Sequence, residues 1–219
     1  VNAVAITTDG RQVTSVSRDR TVRRWSTIAP NQWLVNFASH RRDPIYWAEY
    51  SPDGQEVVCA SANGTVTVSD RHGGRQATFL GHTARLSRAR WSCTGRYLAT
   101  SAADGTAAIW RRDASATFAP QARLLDHRDS VYSIEFDPQE TRVLTGSADG
   151  TAKIWDLQGR VILVLPHESA VRLATFSPST SEVLTSSQDG SARAFDVLTG
   201  HLLRTYKHDI EGPVRAAVF

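Results

Sequence analysis

The sequence predicts an all-β fold assembled from about five copies of one four-stranded unit, and three observations carry that prediction. The string DGTAKIW at 149–155 returns as DRTVRRW at 19–25, NGTVTVS at 63–69, DGTAAIW at 104–110 and DGSARAF at 189–195, so the copies start 44, 41, 45 and 40 residues apart. Self-similarity at such a period marks a repeat architecture. A histidine precedes most copies at a nearly fixed offset: His40, His82, His127 and His167 stand 23, 22, 22 and 22 residues before the matching Asn or Asp, and His208 opens a sixth unit. Between these markers, β-branched and aromatic residues fall into short runs separated by turn residues, which is a strand pattern.

The first run of each unit is VNAVAI at 1–6, IYWAEY at 45–50, LSRARW at 86–91, VYSIEF at 131–136, VRLATF at 171–176 and VRAAVF at 214–219. Each begins and ends apolar, closing on Ile6 or on an aromatic, as an innermost strand does when its ends wedge between neighbouring sheets. A turn follows at once, and Pro52, Pro138 and Pro178 preset the φ that its second position requires. The second run, such as EVVCAS at 56–61 or RVLTGS at 142–147, passes through Asp-Gly or Asn-Gly into the third run in four of the five units. Those dipeptides accept the positive φ of tight hairpins. The fourth run is WLVNF at 33–37, QATFL at 76–80, ARLLD at 122–126, VILVL at 161–165 and LLRTY at 202–206, with the longest insertion, 111–121, just before it in the third unit. Its variable polarity suits an exposed outer strand. The units are then 1–39, 40–81, 82–126, 127–166 and 167–207, with 208–219 the first strand of a further one.

His, Ser-x-Asp-Gly and Trp-Asp in this order resemble a WD-repeat β-propeller over nearly the whole chain. The resemblance implies radially arranged four-stranded blades, with a hydrogen-bonded set in each that ties the sheets together. One unit matches the set completely, with His127, Ser147, Asp149 and Trp155. The first unit lacks the His, the second has Asn63 and Ser69, the third has Ala102 at the Ser position, and the fifth has Phe195 for Trp. Related propellers close by pairing strands from the two chain ends, whereas here the chain starts and stops on a first strand. An incomplete or open ring is the expectation, as a piece of a longer protein. With 23 Arg against 2 Lys, a GC-rich genome and hence a bacterial source is suggested. In similar bacterial proteins such arrays are fused to kinases or NTPases.

Composition limits the chemistry. A net charge of +3, from 25 basic and 22 acidic residues, argues against a dedicated nucleic-acid surface. Cys59 and Cys93 lie in different units at no metal-type spacing. The longest wholly apolar run, VILVL, is too short to span a bilayer. No phosphate-binding glycine motif occurs. Ser, His and Asp together invite a hydrolase reading, but a grouping copied so loosely at the repeat period reads as structural. One His per blade is likewise too widely spaced to share a metal.

The resemblance implies a non-enzymatic, cytoplasmic scaffold without cofactors. Its partner would be a protein or peptide, bound on the rim formed by the loop from each His to the first strand, the residue just after that strand starts and the residue before the turn Asp. Arg18, Arg41, Arg42, Tyr46, Arg85, Arg128, Tyr132, Arg172 and Arg215 fall there, with Asp43, Glu168, Asp209 and Glu211 giving the rim a second sign. The alternative is a propeller enzyme or small-ligand binder that uses Glu49, Arg88, Arg90 and Glu135 of the central channel.

Overall fold

The computed structural model describes residues 1–7, 9–19, 21–28, 33–37, 43–70, 74–207 and 212–219, with backbone only for 33–37, Arg75 and Gln76. Every described strand belongs to one of five antiparallel four-stranded sheets, and no described segment is helical. Blade one holds β1 Ala3–Ile6, β2 Gln12–Val16, β3 Val22–Ser26 and β4 Trp33–Phe37. Blade two holds β5 Ile45–Tyr50, β6 Glu56–Ser61, β7 Thr65–Asp70 and β8 Arg75–Leu80. Blade three holds β9 Leu86–Trp91, β10 Tyr97–Ala102, β11 Ala107–Arg112 and β12 Phe118–Leu124. Blade four holds β13 Val131–Phe136, β14 Arg142–Ser147, β15 Thr151–Asp156 and β16 Val161–Pro166. Blade five holds β17 Val171–Phe176, β18 Glu182–Ser187, β19 Ser191–Asp196 and β20 Leu202–Lys207. The strands pair in chain order within each blade.

First strands are innermost: β1 packs on β5, β5 on β9, β9 on β13 and β13 on β17, so the blades follow one another in an arc. The strict two-residue alternation of a strand sends neighbouring side chains into different cores. In β10, Leu98 joins Val58, Val66, Leu86 and Trp110 between blades two and three. Its neighbours Tyr97 and Ala99 join Ile134, Phe136 and Trp155 between blades three and four. Central strands are therefore buried on both faces: β6 and β10 are buried at every position, Glu56, Ser61, Thr100 and Ser101 included.

Hairpin turns bring each blade up against the loop of the next. Gly64 has φ +82°, and a Cβ there would lie 2.1 Å from the His82 carbonyl oxygen. Only glycine serves both demands. On the opposite end Glu140 takes a positive φ of 55°, and its carboxylate crosses to blade three to accept from Thr94 N (2.6 Å) and Thr94 Oγ1 (2.8 Å).

Two strand expectations need correction. The insertion at 111–121 is largely strand: β11 runs on to Arg112 and β12 begins at Phe118 rather than Ala122. Asp113 closes the turn between them by accepting from Ser115 N, Thr117 N and Thr117 Oγ1, and Phe118 packs edge-on against Trp91 at 5.7 Å. Residues 214–219 form no ladder among the described residues. They nonetheless sit where a first strand would: Val214 N donates to Ser187 O (3.0 Å), as Ile45 N does to Ser17 O (3.4 Å), and Val214 and Ala217 cover Leu184 and Ala194. The rest of that face is open. Tyr206, opposite Ala192, is 51% exposed, whereas Leu165, opposite Ala152 in blade four, is fully buried.

Candidate interaction rim and buried histidine relays

Antiparallel order places the start of the first strand, the second-to-third turn and the end of the fourth strand at one end of each blade. The described imidazoles of that end, those of His82, His127 and His167, are fully buried. In blade four the Trp155 indole N–H donates to Thr145 Oγ1 (2.8 Å), which lies 2.7 Å from His127 Nε2, and His127 Nδ1 lies 2.8 Å from Asp149 Oδ2. Each group can then donate once: indole to hydroxyl, hydroxyl to Nε2, and Nδ1–H to carboxylate. Asp149 also accepts from Thr151 N and Arg128 N, fastening the loop to the hairpin. Burial works against its charge, but the hydrogen bonds from Thr151, His127 and Arg128 N hold its carboxyl at about 2. Burial keeps the His127 imidazole below its ordinary value despite Asp149.

The structure corrects the membership of this set. Ser147 is not the acceptor of the indole; its hydroxyl donates to the carbonyls of Asp129 (3.0 Å) and Ser130 (3.1 Å) and accepts from Asp149 N. The linking residue is Thr145, one full pleat earlier and on the same face. Blade three, which lacks the Ser, accordingly has a complete relay: Trp110 Nε1 to Thr100 Oγ1 (3.0 Å), Thr100 to His82 Nε2 (2.8 Å), and His82 Nδ1 through Thr106 Oγ1 (2.8 Å) to Asp104. Blade one keeps the Trp25 Nε1 to Ser15 Oγ bond (3.0 Å). In blade two, Asn63 reaches Asp43 Oδ2 instead (2.9 Å), and His40 lies outside the described residues.

Blade five shows what the missing indole does. With Phe195 unable to donate, the Thr185 hydroxyl lies 3.1 Å from Arg193 O, closer than the 3.4 Å between Thr145 and Lys153 O, so it can donate there and accept from His167 Nε2 (2.9 Å). The His167 Nδ1 then has no hydrogen-bond partner and stands 3.9 Å from Asp189 Oδ2, which binds Arg193 (3.1 Å). Burial, with Arg193 adding to it, pushes His167 down to about 4. The two blades should therefore hold opposite tautomers, Nδ1–H in His127 and Nε2–H in His167. Nitrogen-15 spectra of the imidazoles at neutral pH check this; one shared tautomer would refute the proton order.

The same end carries the rim residues. Arg18 lies in the turn between β2 and β3, Arg85 and Arg128 in the loops before β9 and β13, and Tyr46, Tyr132 and Arg172 are second residues of first strands. Arg215 occupies the matching place after Val214, while Arg41 and Arg42 lie outside the described residues. The Arg85 guanidinium stands 4.8 Å from the Tyr46 ring centroid, and that of Arg172 stands 4.3 Å from Tyr132. With the Gln188 amide oxygen facing it, Arg172 donates to that oxygen through Nε (3.1 Å) and Nη2. Tyr132, Arg172, Gln188, Pro213 and Arg215 line a depression of about 410 Å³. Of the acids, Asp43 is held by Asn63 and Glu168 is exposed, as is Asp129; Asp209 and Glu211 lie outside the described residues.

The channel opens at the other end into a larger cavity of about 690 Å³, which Glu49, Arg90 and Glu135 help to line. These charges are engaged between blades. Glu49 accepts from Trp91 N (3.1 Å) and lies 3.2 Å from Arg90 Nε, Glu135 accepts from Thr175 Oγ1 (3.2 Å), and Arg88 sits 4.6 Å from the Trp47 ring centroid. Burial pushes both glutamates above the usual carboxylate range.

The family description "WD domain, G-beta repeat" matches residues 1–26, 31–70, 73–111, 118–156 and 159–196. This chain belongs to the WD40 family. Each later WD40 repeat starts near the fourth strand of one blade and ends on the third strand of the next, so repeat and blade are out of step by one strand. That offset is what laces adjacent sheets together. Similar WD-repeat proteins include Jouberin of Mus musculus, 30% identical over 136 residues, covering 60% of this chain and 13% of that protein. Target of rapamycin complex subunit wat1 of Schizosaccharomyces pombe is 28% identical over 142 residues, 64% of this chain and 43% of that protein. Transcription initiation factor TFIID subunit 5 of Caenorhabditis elegans is 27% identical over 123 residues, 56% of this chain and 18% of that protein. The chain spans less than half the length of each.

Thr145, Gln188 and Pro213 escaped the sequence reading. A signal for the first was present: Ser15, Thr100, Thr145 and Thr185 all stand four residues before the turn Asp. Gln188 stands just before the turn Asp, the place Arg18 holds in blade one, whereas nothing local marks Pro213, which reaches the rim through the packing of the last residues against blade five.

Proposed function

We propose that this chain is a non-enzymatic WD40 scaffold that binds a protein or peptide on the rim of the histidine end, within a larger cytoplasmic signalling or regulatory assembly. The observation that carries this reading is the division of labour at that end: His, Thr and Asp are buried and consumed by the relays, whereas Arg and Tyr side chains remain accessible around them. Arg and Tyr are the usual energetic anchors of protein interfaces. The names of two of the relatives above describe subunits of multiprotein complexes, which supports a protein partner. The channel reading is not favoured, because Glu49 is engaged by Arg90 and Trp91 N, Glu135 by Thr175 and Arg88 by the Trp47 ring. Chemical cross-linking in native extract, followed by titration of the purified cross-linked protein, tests the proposal. Arg85→Ala combined with Arg128→Ala should weaken that binding about 10-fold or more, roughly 1.4 kcal/mol, while Arg204→Ala on the outer strand β20 leaves it unchanged. The reverse pattern would move the contact to the side of the blades.

A further inference from the structure

We infer that the rim recognises an acidic peptide segment, with separated carboxylates held at two arginine–tyrosine stations. This deepens the rim reading above and rests on it. One station is Arg85 over Tyr46, bridging blades three and two; the other is Arg172 over Tyr132, bridging blades five and four. In both, a guanidinium stands over an aromatic face within cation–π distance, a contact that restrains it without consuming its N–H donors. A fixed planar fork matches a carboxylate, and the weak hydration of guanidinium makes its desolvation by a ligand less costly than that of an ammonium.

Charge accounting gives the ligand its sign. Among the described residues no carboxylate lies within ion-pairing distance of Arg18, Arg85, Arg128, Arg172 or Arg215, although ten other pairs form, several of them across blades. By contrast Arg90 on the channel strand β9, Arg112 and Arg193 on the third strands β11 and β19, Arg142 at the start of β14 and Arg204 on the outer strand β20 are each paired. The second station is also a built pocket. Gln188 holds Nε and Nη2 of Arg172, leaving the Nη1 hydrogens for a ligand, and Arg215 and Pro213 close the far wall of the 410 Å³ depression. A single acidic side chain fits such a space.

Spacing separates a peptide from a nucleic acid. The stations lie on different blade pairs, and Asp129 and Glu168 are exposed at the same end. A chain of closely spaced phosphates would meet those acids, whereas a peptide can place its carboxylates at the stations and neutral residues between them. Peptide aromatic or apolar side chains would then contact the exposed edges of Tyr46 and Tyr132.

The probe is a fluorescein-labelled decapeptide carrying two Glu separated by Gly and Ser residues, with its Gln counterpart, titrated against the whole protein by anisotropy at physiological salt. The acidic peptide should bind at least about 10-fold more tightly than the neutral one. Arg172→Ala and Arg85→Ala should each weaken it by about 10-fold, and Arg172→Lys, which keeps the charge but not the planar fork, by roughly half that in logarithmic terms. Arg204→Ala should leave it within about twofold, and matched thermal melts exclude unfolding as the cause. Equal binding of the neutral peptide, with both weakened by the rim variants, overturns the acidic class and leaves the rim intact as a peptide surface. Binding indifferent to Arg85 and Arg172 but lost in Arg204→Ala or Arg88→Ala overturns the acidic stations and the rim reading together. Full competition by an oligothymidylate of matched charge shows a general polyanion site and also overturns the inference.

Discussion

Thr145→Val should lower the unfolding free energy by about 3 kcal/mol, whereas Ser147→Ala should cost only about 1 kcal/mol. Valine matches threonine in shape, so the first change removes a hydroxyl and little else. It strands two buried groups, the Trp155 indole N–H and the His127 Nε2, each of which loses its partner at 2.8 and 2.7 Å. A buried polar group left unsatisfied costs roughly 1–3 kcal/mol. Ser147 holds backbone carbonyls, and the Ser130 carbonyl keeps its bond from Ala148 N when the hydroxyl is gone. Urea titrations with unchanged m-values measure both costs. Thr100→Val in blade three should match Thr145→Val even though Ala102 replaces the Ser there. Thr185→Val in blade five should cost less, because Phe195 offers no donor to strand. Equal losses at Thr145 and Ser147 would show that the relay carries no more stability than an ordinary loop contact.

That comparison also shows how far the sequence could be read. Strand runs such as 45–50, 131–136 and 171–176 were legible to the residue, because a strand between two cores must be apolar at its ends and its turns need Pro, Asp or Gly. The relay was half legible. Its ends, His, Asp and Trp, are distinctive residues at fixed spacing, but the middle is a hydroxyl, and Ser and Thr occur at many offsets in every strand. Choosing Ser147 over Thr145 required knowing which one faced the indole, and an alternation of two residues puts both on that face. The insertion at 111–121 was misread for a similar reason: Asp113 makes a compact turn that composition alone does not separate from a longer loop. Rim placement followed from strand order. The tyrosine stacking and the Gln188 contact did not, since the first joins residues 40 positions apart across two blades and the second joins residues 16 positions apart within blade five.

Stability should fall as pH is lowered from about 6.5 towards about 4, and the buried imidazoles set that window. The side chains of His82, His127 and His167 are fully buried, and burial holds all three below the ordinary imidazole value of about 6.5. In this range the unfolded chain takes up protons that the folded chain refuses. Stability from a depressed imidazole is thus fully present above pH 6.5 and is lost as pH falls to the folded value. For His167, at about 4, the whole window is worth roughly 3 kcal/mol, of which about 2 kcal/mol is gone by pH 5. His82 and His127 add to this in the same direction, tempered by Asp104 and Asp149 beside them. Glu49 and Glu135 act oppositely: burial raises their carboxyls, so the folded chain holds protons there that the unfolded chain has released, and acidification relieves that cost. The expected net change is a loss, led by the large depression at His167. The aspartates that accept hydrogen bonds, such as Asp149 at about 2, contribute their own loss only at lower pH. The urea midpoint should therefore drop between pH 7.5 and pH 5. His167→Gln should recover about 2 kcal/mol of the difference between the two pH values, whatever it costs at neutral pH, and Glu49→Gln with Glu135→Gln should make the fall steeper. A midpoint that holds steady across this range, or an undiminished drop in His167→Gln, would mean that these imidazoles reach solvent in the folded protein and that the relays open far more readily than their geometry indicates.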